Sequence, residues 1–251
     1  MSARMFRNLI QYGLLLGILC ILGMFLLYPI GLTVRGGFAA DVATGEGWTL
    51  DHLMLVFKDP TRVAGIVNAF KIAFATTTLC ILISLPLAVL SARYDFPGKK
   101  ILNASILVPL ILPPFVGAIG IRALLGREGA LNALLGTDWD VLGGTKFWGV
   151  VAVMALHLYP IIYLNATASL ANLDPALDEC AENLGAGGWK RFFKITLPLI
   201  RPGLFAGATI VFIWSFTELG TPLMFDYYDV TSVQIFYGLK DFQNNAEPYA
   251  L

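Results

Sequence analysis

The sequence predicts an all-α polytopic membrane protein, and three observations predict it. Of 251 residues, 57% are hydrophobic and 14% charged, with a mean hydropathy of +0.72, whereas soluble domains carry about 25% charged residues. Five uncharged stretches approach or exceed the ~20 residues a helix needs to cross the hydrocarbon core. Lys and Arg crowd into alternate connecting segments, as in a chain that crosses a bilayer repeatedly. One core in water cannot hide this much apolar surface, which excludes most soluble enzymes and any disordered chain. The formal net charge is zero, so nucleic acid is not an expected partner; the lipid bilayer is. Cys20, Cys80 and Cys180 are far apart and form neither a disulfide framework nor a CxxC metal pair, and no metal site or cofactor is expected.

The spans are read in order near 9–34, 63–92, 101–125, 147–172 and 199–220. The first has 27 uncharged residues between Arg7 and Arg35. A secretory signal's apolar region is only about 7–15 residues long, so this is a signal-anchor helix. The second has 21 between Lys71 and Arg93, and the third 21 between Lys100 and Arg122. Pro109, Pro113 and Pro114 can kink the third. The fourth has 27 between Lys146 and Asp174. The fifth has only 16 between Arg201 and Glu218 and needs its flanks to span. Ala246 to Leu251, with Pro248 in a first turn, reads as a sixth helix cut short, so the chain is expected to be incomplete at its C-terminus. Residues 1–62 would form an N-terminal transmembrane helix with a periplasmic segment, and 63–251 a second domain.

Arg4 and Arg7, then Arg93, Lys99 and Lys100, then Lys190, Arg191 and Lys194 fall on one side, which should be cytoplasmic. The N-terminus is therefore predicted inside. The opposite segments, 35–62, 126–146 and 221–251, hold most acids. Gly126 to Lys146 is glycine-rich and predicts a short re-entrant helix. Asp51-His52-Leu53 and Asp138-Trp139-Asp140 are exposed patches there, either ordinary solvated loop or a contact for a soluble protein.

The most informative stretch runs from Asp174 to Pro202, DPALDECAENLGAGGWKRFFKITLPLIRP. Asp174 suits an N-cap, Pro175 the first helical position and Gly185 a stop. Between them Leu177, Cys180, Ala181 and Leu184 share one face of a short helix, with Asp178, Glu179, Glu182 and Asn183 on the other. A helix this short needs something to pack on. Two readings fit: the protein's own membrane helices, or a groove on a cytoplasmic partner. Trp189, Phe192 and Phe193, with Lys190, Arg191 and Lys194, then suggest a segment lying at the cytoplasmic leaflet.

Polar residues at membrane depth are candidates for a pathway. His157, Tyr163 and Asn165 lie in the fourth span beside Tyr159 and Pro160, and Glu218 ends the fifth. The span-four residues would line a route or satisfy helix–helix hydrogen bonds, and Glu218 would line it or lie solvated near the outer interface. No GxxxxGK[ST] loop is present; Gly143-Gly144-Thr145-Lys146 lacks its spacing. HExxH and GxSxG are absent too, leaving no catalytic constellation.

Glu179-Cys180-Ala181, three residues, Gly185, nine residues, then Ile195-Thr196-Leu197-Pro198 resembles the cytoplasmic loop of permease subunits of binding-protein-dependent (type I) ABC importers. The family pattern is E-A-A, three residues, Gly, nine residues, I-x-L-P. Cys180 stands where the family usually has alanine. The resemblance implies a type I importer permease fold, with residues 63–251 as its core and 174–198 as its coupling loop. It implies a coupling role for Leu177, Glu179, Cys180, Ala181, Leu184, Gly185, Ile195, Leu197 and Pro198. It implies as partners an ATP-binding subunit that hydrolyses ATP, a periplasmic substrate-binding protein, and a second permease copy or fused half, in the bacterial inner membrane. Glu218-Leu219-Gly220-Thr221-Pro222 is similar to the iron(III) branch, so iron(III) is the first expected substrate. Polyamine, sulfate, thiamine and phosphonate importers are the alternatives within the family. An ATP-independent channel or secondary carrier is the alternative outside it.

Overall fold

The computed structural model describes residues 3–40, 46–139, 146–239 and 247–250. In chain order its α-helices are α1 (Ala3–Leu22), α2 (Tyr28–Phe38), α3 (Asp51–Lys58), α4 (Pro60–Arg93), α5 (Lys99–Leu107), α6 (Pro114–Leu125) and α7 (Ala130–Leu135). Then come α8 (Lys146–Ala171), α9 (Pro175–Asn183), α10 (Gly188–Arg191), α11 (Leu197–Thr217), α12 (Gly220–Met224), α13 (Thr231–Gly238) and α14 (Glu247–Ala250). Among the described residues the only β pairing is an isolated bridge between Ala39 and Trp48.

Four helical stretches are long and apolar enough to cross a membrane: Gln11–Phe38, Pro60–Arg93, Lys146–Ala171 and Gly188–Thr217. The expected span at 101–125, where Pro109, Pro113 and Pro114 can kink the helix, is a broken pair, Lys99–Leu110 and Pro114–Leu135, bent by 99°. The cause is local. Pro113 and Pro114 have no N–H to give to the carbonyls of Pro109 and Leu110, and Pro113 sits at ψ 141, outside helical geometry. The expected span at 199–220 also differs, starting at Gly188. Trp189, Phe192 and Phe193 belong to the same helical run, through a π-helical turn at Phe192–Thr196, and do not form a separate interfacial piece. Pro198 removes the donor that would bond the Lys194 carbonyl, and a widened turn accommodates that loss. Of the expected re-entrant segment, α7 is seen, while residues 140–145 lie outside the described residues.

The chain divides into two compact units. The first comprises residues 1–63 and 234–251. In its long helix, no residue of the most apolar stretch of Gln11–Phe38 is buried, which suits a helix surrounded by lipid. Helix α14 packs on α2 and α3, and the Tyr249 ring lies 2.9 Å from where a Cβ on Gly36 would sit. Asp59 caps the start of α4, accepting from the Thr61 N–H at 2.8 Å with Pro60 at the first position.

The second unit, residues 64–233, is built round α8. In α8's most apolar stretch 61% of residues are buried, against 33% for α4 and 22% for the Gly188–Thr217 helix. Val150, Val151, Ala155, Ile162 and Ala166 are fully buried. Helix α11 comes closest to it, using the small-xxx-small pair Gly203 and Gly207. A Cβ on Gly207 would sit 3.2 Å from the Ile162 Cα, and one on Gly203 would collide with the Ser169 Oγ. Polar ties supplement this packing where no water competes. Ser84 Oγ donates to the Tyr159 carbonyl at 2.6 Å. Asn103 Oδ1 accepts from Ser91 Oγ at 2.9 Å and Tyr163 OH at 3.1 Å, joining α4, α5 and α8.

Gly207→Leu is expected to lower stability by about 1–3 kcal/mol through overpacking against α8. Gly13→Leu, whose Cβ meets nothing within 4 Å, is expected to leave it unchanged. Thermal unfolding of the two variants in detergent compares them directly.

Candidate functional site

The Asp174–Leu184 loop forms as its residues dictate. Asp174 Oδ1 accepts from the Ala176 N–H at 3.0 Å and Pro175 occupies the first turn, so α9 starts with the same Asp-Pro device as α4. It ends in a Schellman motif. The Ala186 N–H bonds the Ala181 carbonyl at 3.0 Å and the Gly185 N–H bonds Glu182 at 2.9 Å. Gly185 takes φ +75, which only glycine adopts without cost. Open space surrounds its missing Cβ, so backbone conformation alone requires the glycine.

Two of its acids are tied to arginines, while Glu179 stays exposed and the Glu182 side chain keeps 74% of its exposure. Asp178 Oδ2 lies 2.8 Å from Arg93 Nη2 of α4, and Asp178 Oδ1 lies 3.6 Å from Arg191 Nε. Glu182 Oε2 accepts from Arg191 Nη1 at 2.9 Å. Arg93 Nη2 also donates to the buried Thr196 Oγ1 at 2.6 Å. Arg191 is therefore a strut of the loop and is not free for a lipid headgroup.

Of the predicted apolar stripe, only Ala181 is buried, at 5% exposure. Leu177 is 46% exposed, Leu184 is 88% exposed and Cys180 is exposed. The reading in which the stripe packs on the protein's own helices is thus limited to one alanine. Glu179 is exposed as well. Ile195, Leu197 and Pro198 lie apart from this surface, at the root of α11, where Leu197 packs against Ile200, Ala166 and Tyr163.

A second region brings two of the predicted pathway residues together. His157 and Glu218 line one cavity of about 330 Å³ with Pro114, Met154, Trp214 and Thr217. Tyr163 and Asn165 are not among its lining residues. Tyr163 is buried on Asn103, and Asn165 Nδ2 bonds the Ile161 carbonyl of its own helix at 2.9 Å. His157 Nδ1 is 2.8 Å from the Pro109 carbonyl. A carbonyl only accepts, so Nδ1 carries the proton. This carbonyl is one of those left without a helical donor by Pro113 and Pro114, and the imidazole substitutes for the missing N–H. Glu218 Oε1 accepts from the Gly220 and Thr221 N–H groups at 3.1 and 3.3 Å, capping the turn into α12. Among the described residues no group of three or more His, Cys, Asp or Glu could hold a metal ion.

Sequence reasoning missed a junction around Asp226, the one non-glycine residue with positive φ among those described (φ 52). Its carboxylate accepts from Arg122 Nη2 at 3.0 Å and Tyr228 OH at 3.1 Å, while its carbonyl accepts from Lys146 Nζ at 3.0 Å. Lys146 opens α8 and Ala171 closes it, so this junction and α9 stand at opposite ends of a helix about 39 Å long. No local motif marks Asp226. In the outlying patches His52 Nε2 is 3.1 Å from the Ala39 carbonyl, Trp139 is exposed, and Asp140 lies outside the described residues.

Two substitutions test this geometry. Gly185→Ala is expected to destabilise the C-terminal end of α9 by about 1 kcal/mol, with Gly185→Asn milder because Asn tolerates the left-handed region; hydrogen exchange at Ala186 reads the loss. His157→Ala leaves the Pro109 carbonyl unpaired and is expected to cost about 1–3 kcal/mol, most of it recovered in His157→Gln if its amide reaches that carbonyl. Thermal unfolding measures both.

Comparison with known proteins bears on this arrangement. The family of binding-protein-dependent transport system inner membrane components matches residues 84–244. The molybdenum transport system permease protein ModB of Haemophilus influenzae is 34% identical over 163 residues, 63% of this chain and 71% of that protein. The molybdate/tungstate transport system permease protein WtpB of Thermococcus kodakarensis is 28% identical, over 84% of this chain and 78% of that one. The sulfate transport system permease protein CysT of Escherichia coli is 28% identical, over 87% and 78%. In fold, a crystal structure of a bacterial ABC transporter that imports the polysaccharide alginate superposes with a TM-score of 0.74 at 20% identity, covering 98% of this chain and 90% of that one. The chain therefore belongs to the family of binding-protein-dependent transport system inner membrane components, as a multi-pass ABC importer permease subunit whose ATP hydrolysis lies in a separate subunit.

Proposed function

We propose that this permease serves an importer of a tetrahedral oxyanion (molybdate, tungstate or sulfate) and that α9 is where its ATP-binding subunit docks. The observation that carries the docking reading is the orientation of α9. Asp178 and Glu182 pair with the protein's own arginines, while Leu177, Cys180 and Leu184 stand exposed. An outward apolar row at helical spacing fits a groove on a partner. Glu179 supplies a polar contact beside it, and Ala181 seats the helix. Gly185 ends the helix abruptly, and Ile195, Leu197 and Pro198 fix the root of the next one. The domain reading follows: residues 63–251 form the transport core, with 174–198 as its coupling loop.

The oxyanion reading rests on the relatives, whose names carry molybdenum, molybdate/tungstate and sulfate. It takes the place of the iron(III) expectation drawn from Glu218 to Pro222. A periplasmic binding protein delivers the anion; a solved relative in fold is a complex with a periplasmic protein. A second permease copy or half completes the pore. His157 and Glu218 lie on the route, while Tyr163 and Asn165 shape helix packing. The Lys and Arg distribution in the sequence supports a cytoplasmic N-terminus and a cytoplasmic 174–198 loop.

Co-expression with the neighbouring ATP-binding subunit tests the docking reading. Leu184→Asp and Leu177→Asp are expected to reduce co-purification of that subunit by about tenfold or more, as loss of a central apolar anchor does. Full retention in both variants overturns it. Proteoliposomes holding the whole importer and its binding protein test the substrate. ATP-dependent molybdate uptake, with tungstate or sulfate competing, is expected; uptake of iron(III) with no oxyanion uptake overturns the assignment.

A further inference from the structure

We infer that Arg93 is a positioning residue that transmits movement of α9 to α4, a helix that is not adjacent to the loop in the chain. Covalently, α9 is joined to α8 ahead of it and to the α10–α11 run behind it. Its side-chain ties, among the described residues, go to Arg191 of that following run and to Arg93 at the end of α4. The Arg93 guanidinium holds Asp178 at 2.8 Å and Thr196 Oγ1 at 2.6 Å through the same Nη2. Three elements thus converge on one group: α9, the last turn of α4, and the π-helical turn at the root of α11.

Packing does not duplicate this bracket. Between α4 and α10 there is a groove of about 500 Å³, with Val89 and Leu90 on one wall, Trp189 and Phe192 on the other, and Arg93 and Arg191 also lining it. With only Ala181 of the apolar stripe buried, little hydrophobic contact holds α9 down. The charges therefore span a gap that side chains leave open.

The shielding of the pair matters. Arg93 and Asp178 side chains are 24% and 35% exposed, so salt screens them less than a surface pair. The neighbouring Lys99–Asp95 pair has the same 2.8 Å separation, but Asp95 is 98% exposed. There the Lys99 hydrogen bond and charge hold the Asp95 carboxyl below its usual range. That pair ties only successive turns of chain, so it serves as the control. The bracket lets a push or pull on α9 reach α4 as well as its covalent neighbours, and two membrane helices then respond to one docking event.

This inference rests on α9 being the docking element, and the test separates the two. The complete importer, with its ATP-binding subunit and binding protein, is assayed in proteoliposomes for molybdate uptake per ATP hydrolysed. Stimulation of ATP hydrolysis by the binding protein is the second readout, independent of which substrate is carried. Arg93→Gln is expected to retain the ATP-binding subunit while uptake per ATP and the stimulation each fall roughly twofold to thirtyfold, the range of coupling changes from single residues. Arg93→Lys is expected to recover part of both, and Lys99→Gln to change neither. Native coupling in Arg93→Gln overturns the inference. So does loss of the ATP-binding subunit in that variant, which would make Arg93 a support for α9 alone. Retention of the subunit by Leu184→Asp would instead count against the docking reading.

Discussion

Within an apolar slab a backbone carbonyl has no water to turn to. A chain can leave helical geometry there only where it brings another donor. Much of the second unit follows from that constraint. The bend between α5 and α6 frees carbonyls beside Pro113 and Pro114, and the His157 imidazole reaches one of them. The wide turn at Phe192–Thr196 occurs where Pro198 withholds a donor. Each irregularity has its substitute or its local cause, and the regular packing of α8 on α11 through Gly203 and Gly207 proceeds between them.

Helix α9 solves the opposite problem. It is a short polar helix outside the long spans, and by itself it is too short to persist. Its N-cap, its Schellman end and its charge pairs hold it in place with almost no buried apolar surface. That leaves the apolar row unspent and facing out. An exposed row of this kind is a liability for a lone subunit and an asset for one that is always met by a partner.

The sequence and the structure agree most where the physics is local. Long uncharged runs read directly as helices, because hydropathy over twenty residues outweighs any neighbour. Asp174, Pro175 and Gly185 read directly as caps, because a cap depends on residues within one turn. The apolar row of α9 read as a face, since spacing alone defines it, but its exposure did not. That exposure depends on Arg93 and Arg191, and Arg93 is 85 residues away from Asp178 in the chain. The three prolines in the third span announced a kink, yet the angle of 99° depends on what α6 meets beyond it. Asp226 was invisible because two of its partners, Arg122 and Lys146, come from helices 104 and 80 residues away in the chain. Tyr163 and Asn165 are polar residues at membrane depth, and their hydrogen bonds to Asn103 and to the Ile161 carbonyl depend on how α8 is turned.

Cysteine at position 180 changes how this surface can be observed. Cys80 is sealed inside the unit, and Cys20 sits within the first long apolar helix. Cys180 alone of the three stands on the outward row of α9. The permease therefore carries a native chemical reporter on the face that a partner would cover. A water-soluble alkylating reagent, added from that side, gauges how often the face is vacant, without any engineered label.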